Sequence, residues 1–120
     1  MAAIGDYEID MVKNSAVAVT QSADNGIATA THAALPLRHW VAMKCDASYS
    51  TSTVTGELTI LFGTTVIARK HIHGAGAIDF GMKGHQNPDA AELIEAKLAA
   101  GGAGVFGDLT FTAFHTGPNA

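Results

Sequence analysis

The chain's stock of chemistry-bearing side chains is six histidines, one cysteine and eleven acidic residues. Their spacing decides what they could do. His71 and His73 stand two apart, so on a strand they share a face, which is a real metal-ligand geometry. A closed zinc site needs a third and a fourth ligand. Cys45, His85 or Asp79 would have to supply them, and nothing in the sequence brings them there. The pair therefore reads as a solvated or interface face, with no metal. Ser48 and Ser50 flank Tyr49, but no Gly-x-Ser-x-Gly elbow occurs, and His39 or His115 would become a base only through an accident of folding. Cys45 lies on the apolar side of an alternating run, the usual place of an inert buried thiol. Gly101-Gly102-Ala103-Gly104 and Gly74-Ala75-Gly76 lack the Lys-Ser/Thr of a phosphate loop and read as turns. The expectation is no enzyme, no cofactor and no metal.

The elements that would position these residues read as strands. Gly and Pro punctuate the chain at short intervals, and Val, Ile, Thr and aromatics fill the gaps, as in an all-β sandwich. Leu37 to Tyr49 alternates throughout, with Leu37, His39, Val41, Met43, Cys45, Ala47 and Tyr49 on one face and Arg38, Trp40, Lys44, Asp46 and Ser48 on the other. Thr53–Phe62 and Thr65–His73 form a hairpin about Gly63-Thr64. Ala75–Phe80 is a short strand, Gly81–Pro88 a loop, and Val105–His115 a closing strand. Tyr7–Val12, Ala16–Thr20 and Gly26–Thr31 are weaker strands. Residues 89–100 pull two ways. Asn87 suits a cap, Pro88 a first helical position, and the residues after them favour helix. Against this, Ile94, Ala96 and Leu98 alternate with Glu95 and Lys97.

A chain of 120 residues fits one domain, here 1–120. With 15% charged and 48% hydrophobic residues it is no disordered tail. Seven Lys+Arg against eleven Asp+Glu give a net charge of −4. The cations are scattered apart from Arg69-Lys70, so there is no basic footprint for nucleic acid. A single cysteine allows no intrachain disulfide. The sequence predicts no signal peptide and no membrane span, as for a protein made in the cytoplasm of a cell.

Three stretches carry a resemblance. They are Asp46-Ala47-Ser48-Tyr49-Ser50, then Leu58-Thr59-Ile60 through Gly63-Thr64-Thr65-Val66-Ile67, and above all Leu98-Ala99-Ala100-Gly101-Gly102-Ala103-Gly104-Val105-Phe106-Gly107-Asp108-Leu109. Together, within residues 37–115, the chain resembles small phage-associated β-sandwich virion proteins of the capsid decoration or cement kind. The resemblance implies a single antiparallel, jelly-roll-like sandwich. It makes Ala91–Ala99 a strand in a hairpin with Val105–His115. Glu92, Glu95 and Lys97 depart from the pattern and keep the helix open for 89–100.

The expected role is a structural virion protein that stabilises a phage head. Its partners would be the major capsid protein and its own copies in a homo-oligomer, a trimer at a local three-fold being one arrangement, with no nucleic acid and no membrane. The interface residues would be Met1, Ile4 and Tyr7 of an N-terminal arm, with Trp40, Phe106 and Phe114, because aromatics fall on the faces opposite the small-residue core and are enriched at interface cores. Residues 1–6 and 116–120, small and polar, would be interface arms. The alternative is a tail or fibre module that binds a host glycan or receptor, for which loop Gly81–Pro88 with His85, Gln86 and Asn87 is the candidate.

Overall fold

A computed structural model describes residues 14–116. Met1, Ile4 and Tyr7, the expected strand Tyr7–Val12, and all of the two arms except Thr116 lie outside the described residues. Among the described residues nine strands follow in chain order: β1 (Ser15–Gln21), β2 (Ala28–His32), β3 (Trp40–Tyr49), β4 (Thr55–Phe62), β5 (Thr65–His73), β6 (Ala75–Asp79), β7 (His85–Gln86), β8 (Ile94–Leu98) and β9 (Gly107–His115). The hydrogen-bonded order is β1-β9-β3-β6-β5-β4-β8-β2, with β7 beside β3. All pairings are antiparallel. The link between β6 and β5 is a single residue pair, His73–Ala75, turning about Gly74 at φ 74°. The path therefore folds into two facing sheets, β1-β9-β3-β6 and β5-β4-β8-β2. That is the jelly-roll form of the antiparallel β-sandwich expected from the sequence.

The core fills the space between the sheets. Cys45, Phe111 and Ala113 from one sheet and Leu58, Ile60, Ile94, Ala96 and Leu98 from the other are fully buried. Each large aliphatic or aromatic side chain so buried contributes roughly 1.5–3 kcal/mol. His32 is the polar member of this layer. Its ring lies 4.8 Å from that of Trp40 and 5.0 Å from that of Phe111, and its Nε2–H donates to the Phe111 carbonyl at 2.8 Å. Burial lowers the His32 pKa, and the bond to Phe111 opposes the shift.

The expected hairpin over 53–73 forms, with Phe62 opposite Thr65 and Gly63 at φ 59° in the turn. Residues 89–100 hold a strand and no helix. Ile94–Leu98 lies between β4 and β2 with Ile94, Ala96 and Leu98 pointing into the core. Two buried neighbours on either side outweigh the local helix preference.

Two expectations about the strands are corrected. First, β8 and β9 form no hairpin. Loop 99–106 carries the chain from one sheet to the other, so the two strands face each other across the core, and a Cβ on Gly107 would meet Leu98 at 3.0 Å. Second, the alternation from Leu37 to Tyr49 is broken. Leu37 is 88% exposed at φ 61°, outside the strand. Within β3 the register against β9 slips between Ala42 and Lys44, leaving Met43 as an extra residue. A bulge of this kind reverses the facing of everything before it. Trp40 and Ala42 thus join Cys45, Ala47 and Tyr49 in the core.

Trp40 is accordingly 5% exposed, with its indole N–H donating to the Ala33 carbonyl at 2.9 Å. Phe114 is 1% exposed. Neither presents a surface to a partner, contrary to the interface expectation. The cover for Trp40 is the loop before β3. Of the three interface candidates within the described residues only Phe106 is exposed, at 38%, just ahead of β9.

Candidate functional site

The loops fall at two ends of the sandwich. Those joining β2 to β3, β4 to β5 and β6 through β7 to β8 share one end, and there the last two border a cleft of about 230 Å³. Phe62, Thr65, Ile67, His85, Asn87, Pro88, Asp89 and Glu92 line it. Both bulges of the fold shape this end. In β5 the register slips so that Ile67 has no partner on β4, and this unpaired residue turns into the cleft wall. In β3 the extra residue Met43 marks the change of neighbour from β6 to β7. Beyond it His85 pairs with Ala42 and takes the inward face, while Gln86 pairs with Val41 on the outward one. His85 thereby meets two phenyl rings nearly at right angles, Phe62 at 5.3 Å and Phe80 at 5.4 Å. Such edge-to-face contacts hold a ring's orientation.

The polar wall is built on Asn87, which is fully buried. Its Nδ2–H donates to Glu92 Oε1 at 2.9 Å, and its Oδ1 accepts the Asp89 N–H at 3.0 Å, a turn motif favoured by the intervening Pro88. Its own backbone N–H donates to the Trp40 carbonyl at 2.8 Å, and its carbonyl accepts from His39 Nδ1 at 2.9 Å. The loop is pinned further along by Ala91 N–H to the Arg38 carbonyl and by Gly63 N–H to the Leu93 carbonyl, both 2.9 Å. Ala91, at φ 56°, reverses the chain into β8. Glu92 lies close over Gly63, where any side chain would collide with its carboxylate. The cleft is therefore set before any ligand arrives, which lowers the ordering cost of binding.

A larger but shallower groove of about 490 Å³ lies on the open face of the other sheet, over Asp46, Ser48, Ala75, Ala77, Asp108 and Thr110. It holds no aromatic ring and no buried polar support, so the smaller cleft is the better-built site.

The other sequence candidates are placed elsewhere. His71 and His73 do share a face of β5, but each engages its own neighbour: His71 Nε2 lies 3.9 Å from Glu57 Oε2, and His73 Nδ1 bonds Thr55 Oγ1 at 2.7 Å. No group of three or more His, Cys, Asp or Glu able to hold a metal occurs among the described residues. Cys45 is fully buried, its thiol pushed up to about 12 by burial and by the adjacent Asp46 carboxylate. His115 accepts from Arg38 Nη1 at 3.2 Å and does not reach the cleft lining. His85 and Asn87 of the sequence-predicted loop are brought together in the cleft. Phe62 and Phe80 were legible only as the last residues of their strands. Asp89 and Glu92 were legible only as parts of the segment 89–100, read as strand or helix, although Asn-Pro-Asp is a turn signal.

No protein-family model matches the chain, and no curated protein matches it. Solved structures of similar shape exist. The CBM36-1 domain of a multidomain xylanase from the hindgut metagenome of Trinervitermes trinervoides superposes with a TM-score of 0.48 at 10% identity, over 89% of this chain and 99% of that one. A carbohydrate-binding module CBM36 in complex with calcium and xylotriose gives 0.39 at 13% identity, over 79% and 77%. The enzymatically active domain of tailspike protein 4 of Bacteriophage CBA120 gives 0.32 at 10% identity, over 93% of this chain but 21% of that one. Likenesses this distant carry no inference about the ligand of this chain.

Proposed function

We propose that the protein is a non-catalytic module that binds a glycan in the end-loop cleft. One observation carries this reading: His85, held edge-on by Phe62 and Phe80, stands in one small preformed cleft with the carboxylates of Asp89 and Glu92, the latter fixed by the buried Asn87. A sugar ring offers apolar C–H faces and a rim of hydroxyls. The ring and Ile67 supply apolar contact, and the carboxylates accept from hydroxyl pairs. A volume of about 230 Å³ suits a single sugar ring and little more. Weak single sites of this kind gain strength through multiplicity. On a phage tail or fibre, the alternative read from the sequence, many copies would act together.

The capsid-decoration reading has less support. Of the aromatics it assigned to its interface, Trp40 and Phe114 are buried and only Phe106 is exposed.

A glycan array followed by titration calorimetry on the intact chain tests the proposal. Binding should be found, and His85→Ala should weaken it at least several-fold without lowering the thermal midpoint by much. Absence of any glycan ligand, or binding indifferent to His85→Ala, would refute it.

A further inference from the structure

The charge of the cleft narrows the class of sugar. Asp89 and Glu92 both line it, and no Lys or Arg does. Neither carboxylate is in an ion pair among the described residues. Of the described cations, Arg38 lies on His115, Lys44 on Asp46, Lys70 on the Ala77 carbonyl and Lys97 on Glu95, and Arg69 and Lys83 form no ion pair with either carboxylate. Glu92 uses Oε1 to accept from Asn87, and its Oε2, which lies over Gly63, has no hydrogen-bond partner among the described residues. Two uncompensated carboxylates, one of them held in place and half-buried, repel an acidic sugar and leave a neutral one to be bound by hydroxyls alone.

Resting on the glycan-binding reading above, we infer that the sugar this cleft selects is an amino sugar with a free, protonated amine. The ammonium sits between Asp89 and Glu92, each accepting one of its N–H bonds, while the ring covers His85 and Ile67. Its three donors match acceptor-only carboxylates, which an N-acetyl group does not.

The test is calorimetric titration of the intact protein at pH 6 with four probes of equal length: the trimer of glucosamine, its fully N-acetylated form, cellotriose and trigalacturonate. The glucosamine trimer should bind roughly five- to tenfold tighter than the N-acetylated trimer or cellotriose, and trigalacturonate weakest of all. Raising the salt should erode the advantage. The double variant Asp89→Asn, Glu92→Gln should abolish it. The amide oxygen that Glu92→Gln introduces still accepts from Asn87, so the cleft is kept. Equal or tighter binding of the N-acetylated, neutral or acidic trimer overturns the inference and leaves the glycan reading standing. If no trimer binds and the glycan array is also blank, both fall together. A preference for the amine that ignores salt also overturns it, because then charge is not the cause.

Discussion

Asn87 is the residue on which the cleft most depends. Asn87→Ala removes its amide bond to Glu92 and its acceptor for Asp89 N–H. A hydrogen bond to an ionised group contributes roughly 1.5–3 kcal/mol and a neutral one roughly 0.5–1.5. Glu92 is half-buried and Asp89 exposed, so water recovers part of this. The net loss should be about 2–3 kcal/mol, which for a urea slope of roughly 1–3 kcal/mol/M lowers the unfolding midpoint by about 0.7–3 M. Asn87→Asp separates the two bonds. It keeps the acceptor for Asp89 N–H but sets a carboxylate against Glu92. At pH 7 it should be no more stable than Asn87→Ala. The like-charged pair raises the folded-state pKa values, so this variant should regain stability as the pH falls toward the carboxylate range, about 4. Urea unfolding at pH 7 and pH 4, with Glu92→Gln in each background to close a double-mutant cycle, reads all of this. A loss below about 0.5 kcal/mol for Asn87→Ala, or an Asn87→Asp variant as stable as the parent at pH 7, would show that the wall of the cleft is not held as described.

Other outcomes follow from the core. His32 has a lowered folded-state pKa, so the unfolded chain takes up its proton first. Its contribution is intact above about pH 6.5 and is lost as pH falls from there toward the folded pKa; urea midpoints across that window should drop for the parent and not for His32→Gln. Gly56→Ala would drive a Cβ into the Tyr49 ring, whose hydroxyl donates to the Ala99 carbonyl at 2.7 Å, and should cost about 1–3 kcal/mol; an unchanged midpoint contradicts that packing. Trp40→Ala should cost about 3–5 kcal/mol of monomer stability, and a variant that loses self-association but not stability would restore Trp40 to an interface. Cys45 should resist thiol reagents in the native state at pH 8 and react only on unfolding, as its burial and raised pKa require.

Much of the fold was legible in the sequence because most of its strands alternate with period two. Leu58, Ile60 and Phe62 declared one face of β4, and Gly63-Thr64 declared its turn. Loop Gly81–Pro88 stood out as a binding candidate from its own residues, and His85 and Asn87 do line the cleft. What the sequence could not declare is where a period slips. Nothing in Val41-Ala42-Met43-Lys44 announces that Met43 is extra. That single slip put Trp40 in the core and set the facing of Val41 and Ala42, with which Gln86 and His85 of β7 pair. Nor could local chemistry choose the state of Ile94–Leu98 or its neighbours. Its helix preference is a matter of tenths of a kcal/mol per residue, whereas burying Ile94 and Leu98 between two strands is worth several in sum. Most strands and turns could be read from the chain alone, because near neighbours set them. Pairing, the bulges, and hence the meeting of Phe62, His85, Asn87 and Glu92 were settled by contacts between residues far apart in the chain.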